Sequence, residues 1–209
     1  MALYLQERCN AETFPNEEIL PSAQVLLLYF IYNGTVEITT SQASKELGLT
    51  PTSISRASRQ LEKLGLIQTM KTGKQKIIHS DSSPKELFER TQQKLLNPVK
   101  KTVYIPKNCV TSELLESGYF ALAHYTMINV PQIKYFATDS ISRWKDVMTN
   151  NLLDSENQMA VEMWRYNPHL LSKEDKVDEL SLALSLRDDA DERVEAAVDE
   201  MLEKLWGKI

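Results

Sequence analysis

The chain has 209 residues, 42% of them hydrophobic and 25% charged, and a formal net charge of −5. That is the composition of an ordinary globular protein, long enough to bury a core without a disulfide or metal staple. It argues against a disulfide scaffold and a bilayer span: Cys9 and Cys109 form no C-x-x-C pair, and the longest apolar run, Val25 to Tyr32, is too short to cross a membrane.

Both cysteines read as buried apolar side chains in a reducing compartment. The first residues carry Glu7 and Arg8 and no apolar signal core, so a cytoplasmic protein without membrane contact is expected. Charge is unevenly spread. Residues 40–101 hold 12 Lys and Arg against 5 Asp and Glu, whereas residues 102–209 hold 11 against 19. A basic segment inside an acidic chain is a footprint for phosphate, because local fields matter more than the sum.

In chain order, Pro21 to Tyr32 is apolar on nearly every side, as in a central buried helix, and Asn33-Gly34 stops it. Thr35 to Thr39 is β-branched and reads as a short strand. A short helix follows from Thr40 to Leu47, with Thr39 and Gln42 spaced for a capping box. Gly48-Leu49-Thr50 is a turn, after which Thr50 caps and Pro51 opens a helix that Gly65 ends after Leu64. Leu66 to Lys71 and Gln75 to His79 read as two strands joined by Thr72-Gly73-Lys74. Pro84 opens a helix over Lys85 to Leu96, and Asn97-Pro98 breaks it, placing a domain boundary near Pro98–Lys101. Beyond lie strands at Val103–Ile105, Ile133–Ala137 and Val161–Tyr166. Helices are predicted at Tyr119–Ile128, Val177–Leu186 and Asp191–Trp206, the last with apolar residues at i, i+3, i+4, i+7, i+8 and i+11.

Helix, strand, helix, turn, helix, hairpin is the winged helix-turn-helix order. At about 100° per residue, Ile54, Ala57, Leu61 and Leu64 of the third helix gather into a buried stripe. Thr52, Ser55, Arg56, Arg59 and Lys63 face the other way, with Glu62 off to one side. Hydroxyls and cations without a carboxylate suit the DNA major groove, where Arg bonds guanine O6 and N7 in bidentate fashion. Arg56 and Arg59 are therefore the candidate base readers, with Thr50, Thr52, Ser53 and Ser55 as shorter contacts. Lys71, Thr72, Gly73, Lys74 and Lys76 form a wing without acidic residues, suited to phosphate or the minor groove.

Ser41 to Arg56 (SQASKELGLTPTSISR) and Leu61 to Ile67 (LEKLGLI) resemble MarR-type and related winged-helix repressors, although the Asp-x-Arg pattern usual at the MarR wing is absent from Met70–Lys76. Ser117 to Met127 (SGYFALAHYTM), followed by Asp178-Glu179-Leu180-Ser181 and Asp191-Glu192-Arg193-Val194, is similar to abortive-infection antitoxins of the AbiEi type. That resemblance implies an N-terminal winged helix, repression of the protein's own operon, and a nucleotidyltransferase-like toxin as partner.

No catalytic constellation is apparent. His79, His124 and His169 lack neighbours at metal-ligand spacing, and His124 reads as a packed, hydrogen-bonded residue. Phosphate-loop, dinucleotide and nucleophile-elbow motifs are missing. Asp188, Asp189, Asp191 and Glu192 gather where a helix N-terminus favours acids, and Trp144, Trp164 and Trp206 read as core or interface. The expectation is an α+β, non-enzymatic protein without metal or cofactor. A winged helix-turn-helix DNA-binding domain occupies residues 1–98, and a smaller-sheet α/β domain for dimerisation, sensing or protein interaction occupies residues 99–209. Its partner would be double-stranded DNA, read as a homodimer by a transcriptional repressor. The alternative is an interaction or antitoxin module whose acidic domain masks a basic partner.

Overall fold

Helix α1 (Pro21–Asn33) sets the frame: Ala23 through Leu28, Phe30 and Ile31 are all buried, so neighbours enclose it on every side. The computed structural model describes residues 18–34, 37–73 and 75–209. Cys9, Thr35, Val36 and Lys74, named above, lie outside them. Strand β1 (Ile38–Thr39) runs directly into α2 (Thr40–Glu46) through the capping box. There the Gln42 N–H donates to Thr39 Oγ1 at 3.2 Å, and the Thr39 N–H donates to Gln42 Oε1 at 3.1 Å. Gly48, with φ +57°, makes the turn to α3 (Pro51–Lys63). Strands β2 (Gln68–Thr72) and β3 (Gln75–His79) pair antiparallel, and β1 adds to β3, giving the order β1-β3-β2. The hairpin starts two residues later than predicted, because Leu66 and Ile67 are spent in the core.

Helix α4 (Pro84–Thr91) is shorter than its apolar pattern suggested. The backbone of Leu96 is claimed by α1 instead. The Leu96 N–H donates to Gln24 Oε1 at 2.6 Å, and Gln24 Nε2 donates back to the Leu96 carbonyl at 3.0 Å. The predicted boundary coincides with the start of strand β4 (Val99–Pro106). Then follow β5 (Leu115–Glu116), α5 (Gly118–Leu122), β6 (Tyr135–Thr138), β7 (Gln158–Trp164), α6 (Glu179–Leu186) and α7 (Glu192–Trp206), so the chain is mixed α+β. The second sheet, expected to be the smaller, is the larger: four strands in the order β4-β7-β6-β5, with β6 and β7 parallel. Strand β5 carries no β-branched run and was not foreseen; β4 extends beyond its predicted core at both ends, whereas β7 begins three residues earlier than predicted and ends at Trp164 rather than Tyr166. Helix α5 stops at Leu122 rather than Ile128 because the next turn tightens: the His124 N–H reaches back only to Ala121, and the Tyr125 N–H only to Leu122.

One face of the large sheet packs on a core that draws on both sides of Pro98, joining Leu27, Leu61 and Ile78 to Trp164, Leu182 and Met201. The other face is covered by a smaller cluster around Val103, Phe136, Trp144 and Val161. Trp144 and Trp164 are buried, and Trp206 lies half-buried with its ring centroid 5.6 Å from that of Phe88. Cys109, expected to be buried, is half-buried and free, because its 3-10 turn, Lys107–Cys109, sits at the surface. Among the described residues, no helix is long and apolar enough to cross a membrane.

Candidate nucleic-acid interface

Helix α3 is held by both ends and one face. Thr50 caps it by accepting the Ser53 N–H at 3.1 Å. Ile54, Ala57, Ser58 and Leu61 are buried against α1 and α2. Leu64, predicted in the buried stripe, is half-buried as the C-cap, while Ser58, which sequence pattern missed, goes inside with its hydroxyl donating to the Ser55 carbonyl at 3.2 Å. Gln60 clamps the entry to α1, accepting the Leu20 N–H at 2.8 Å and donating to the Glu18 carbonyl at 3.0 Å. The helix is thus fixed in roll and tilt.

What remains outward is Thr52, Arg56, Arg59 and Lys63, at i, i+4, i+7 and i+11, all exposed. At 1.5 Å per residue this stripe is about 16 Å long. Ser55 is half-buried at its edge. Thr50 and Ser53 are engaged with each other, their hydroxyl oxygens 2.9 Å apart, so both serve the cap. Glu62, the carboxylate beside the stripe on α3, accepts the Thr69 hydroxyl of β2 and ties the hairpin to the helix.

In the hairpin Lys71 stands directly across from Lys76, and Thr72 across from Gln75. Alternation along the strands puts Lys71 and Lys76 on the face shared by Thr69 and the buried Ile78, the side joined to α3. Like charges directly opposite on an antiparallel pair are destabilising by a few tenths of a kcal/mol. Arg56, Arg59, Lys71 and Lys76 have no acidic partner among the described residues. Gly73, with φ +62°, makes the turn at the tip, where a side chain would be strained. Thr72 and Gly73 are exposed there. The cross-strand lysine pair was invisible in the sequence until the register was known.

The histidines are dispersed. His124 Nε2 lies 2.6 Å from Glu116 Oε2 with its side chain 48% exposed, so it is paired yet not enclosed. His79 Nε2 is 4.0 Å from Asp81, and His169 Nε2 is 3.1 Å from the Glu113 carbonyl. Among the described residues, no three His, Cys, Asp or Glu side chains group to hold a metal ion. Asp191 caps α7, with Glu192 and Glu195 in its first turn, where the helix dipole favours acids. No protein-family model, curated protein or solved structure matches the chain.

Proposed function

We propose that the chain is a sequence-specific DNA-binding regulator of winged helix-turn-helix type. Helix α3 enters the major groove, with Arg56 and Arg59 toward base edges and Thr52 and Lys63 toward the backbone. The β2–β3 hairpin is the wing, its Lys71 and Lys76 meeting phosphate. The observation that carries this reading is the cation pair itself. Lys71 and Lys76 face each other without a carboxylate, on the side of the hairpin joined to an α3 whose outward stripe is also carboxylate-free. Such a surface is relieved by a polyanion. A repressor that reads paired half-sites as a homodimer follows from the same reading, because one helix covers only a few base pairs.

The test is fluorescence anisotropy of the full chain with duplex DNA, including the segment upstream of its own gene. Binding that weakens steeply with salt and prefers one duplex supports the proposal. Absence of binding at low salt refutes it.

A further inference from the structure

We infer that the groove between α4, α6 and α7 is a docking site for a basic amphipathic helix of another protein. The groove has a volume of about 650 Å³. A strip of apolar side chains lines it among polar ones: Phe88 from α4, Leu186 at the end of α6, and Val198 and Leu202 one turn apart on α7. Leu186, Val198 and Leu202 are only half-buried, so the core leaves them partly uncovered. The rim is acidic, with Asp188, Asp189, Glu195 and Asp199 along it. Its one cation, Arg187, is already used. The guanidinium donates to the carbonyls of Gln92 and Leu95 and lies 3.6 Å from Asp188. Glu195 and Asp199 are exposed and have no cationic partner among the described residues.

An apolar strip between helices, bordered by one sign of charge, is the complement of a helix with an apolar face and flanking Lys or Arg. Charge removes the other occupants. A second copy seated face to face would set acid against acid. Residues 1–17 of the chain carry one Arg against three Glu, the same sign as the rim. Nucleic acid and anionic lipid surfaces are repelled likewise. This gives the acid-rich half of the chain a definite contact surface, separate from α3 and the wing.

The probe is a fluorescein-labelled 18-residue helical peptide with leucines at i, i+3, i+4 and i+7 and lysines elsewhere, titrated into the full-length protein. The lysine peptide is expected to bind, and its glutamate counterpart is not. Glu195→Lys with Asp199→Lys, both on the exposed rim, is expected to lower affinity at least tenfold. Leu202→Asp is expected to do the same with an unchanged circular dichroism spectrum, and amide shifts are expected to map to α4, α6 and α7. The proposal is overturned if no peptide binds, if the glutamate peptide binds equally, or if the rim variant binds as well as the wild type. It is equally overturned if the protein self-associates and Leu202→Asp abolishes that, which would assign the groove to a second copy. DNA plays no part in these readouts, so their failure leaves the α3 reading standing.

Discussion

The paired lysines of the β2–β3 hairpin allow a test in which function and stability move in opposite directions. Consider Lys71→Ala together with Lys76→Ala, which removes the cross-strand pair and nothing the core uses. With Lys63, Lys71 and Lys76 on phosphates, about three counterions are released, and log affinity against log salt has a slope of about −2.7. Raising salt fourfold then weakens wild-type binding about 40-fold, against about 3.5-fold for the double variant, whose slope is about −0.9. Fold stability, meanwhile, holds or rises by a few tenths of a kcal/mol, since two like charges have been separated. Anisotropy titrations across a salt series, with urea unfolding of the same samples, read both quantities. An unchanged slope refutes the placement of the wing on phosphate. A stability loss above about 1 kcal/mol refutes the claim that the lysines are there for a ligand, because it would show that they support the hairpin.

Three further outcomes follow from named contacts. Arg56→Ala is expected to lose about 1–3 kcal/mol of discrimination at one base pair of the preferred duplex while leaving the salt slope nearly unchanged, measured by competition with single-substitution duplexes. Gln24→Ala removes three hydrogen bonds of a fully buried side chain, to both backbone groups of Leu96 and to the Tyr166 hydroxyl at 3.3 Å. It is expected to cost about 2 kcal/mol in denaturant unfolding, because the half-buried Leu96 backbone groups lose their partner while the Tyr166 hydroxyl keeps Ser181. Glu162, 7% exposed on β7, has its carboxyl pushed above the usual range by burial. The folded state therefore holds that proton more tightly than the unfolded chain. The stability this adds is full below the ordinary carboxyl range and is lost as pH rises through the raised value. Glu162→Gln is expected to flatten this part of the pH–stability curve and to exceed wild-type stability at pH 7.

Local features were readable from sequence, and contacts between distant segments were not. The Thr39–Gln42 box, the Thr50 cap and the span of α3 depend on residues within four positions of each other, so spacing alone located them. The exposed Thr52, Arg56, Arg59 and Lys63 stripe follows from the same periodicity. Helix α7 was legible for the same reason, with Asp191 at its cap. Helix α4 was overestimated because an apolar pattern cannot reveal that Gln24, 72 positions away, captures Leu96. Helix α5 was overestimated because a good helical pattern cannot reveal that the turn after Leu122 tightens, with the His124 N–H reaching back only to Ala121. Pattern could suggest a basic hairpin, but the face-to-face placement of Lys71 and Lys76 is a matter of register, set by the Gly73 turn and by Ile78 pairing with Ile38.

Gln24 has a consequence for how this chain can be taken apart. Its one amide holds the link at Leu96 and touches Tyr166, while Tyr32, two turns further along α1, donates its hydroxyl to Asp178 at 2.9 Å. Helix α1, at the centre of the N-terminal half, is therefore also a structural member of the acidic half. Cutting at Pro98 would expose α1, part Gln24 from Tyr166 and leave Tyr32 without Asp178, while Gln24 kept its bonds to Leu96. The N-terminal half is not a portable cassette: transplanted into a chimera without its neighbour it would arrive with a torn core, and the two halves are bound to diverge together rather than be shuffled apart.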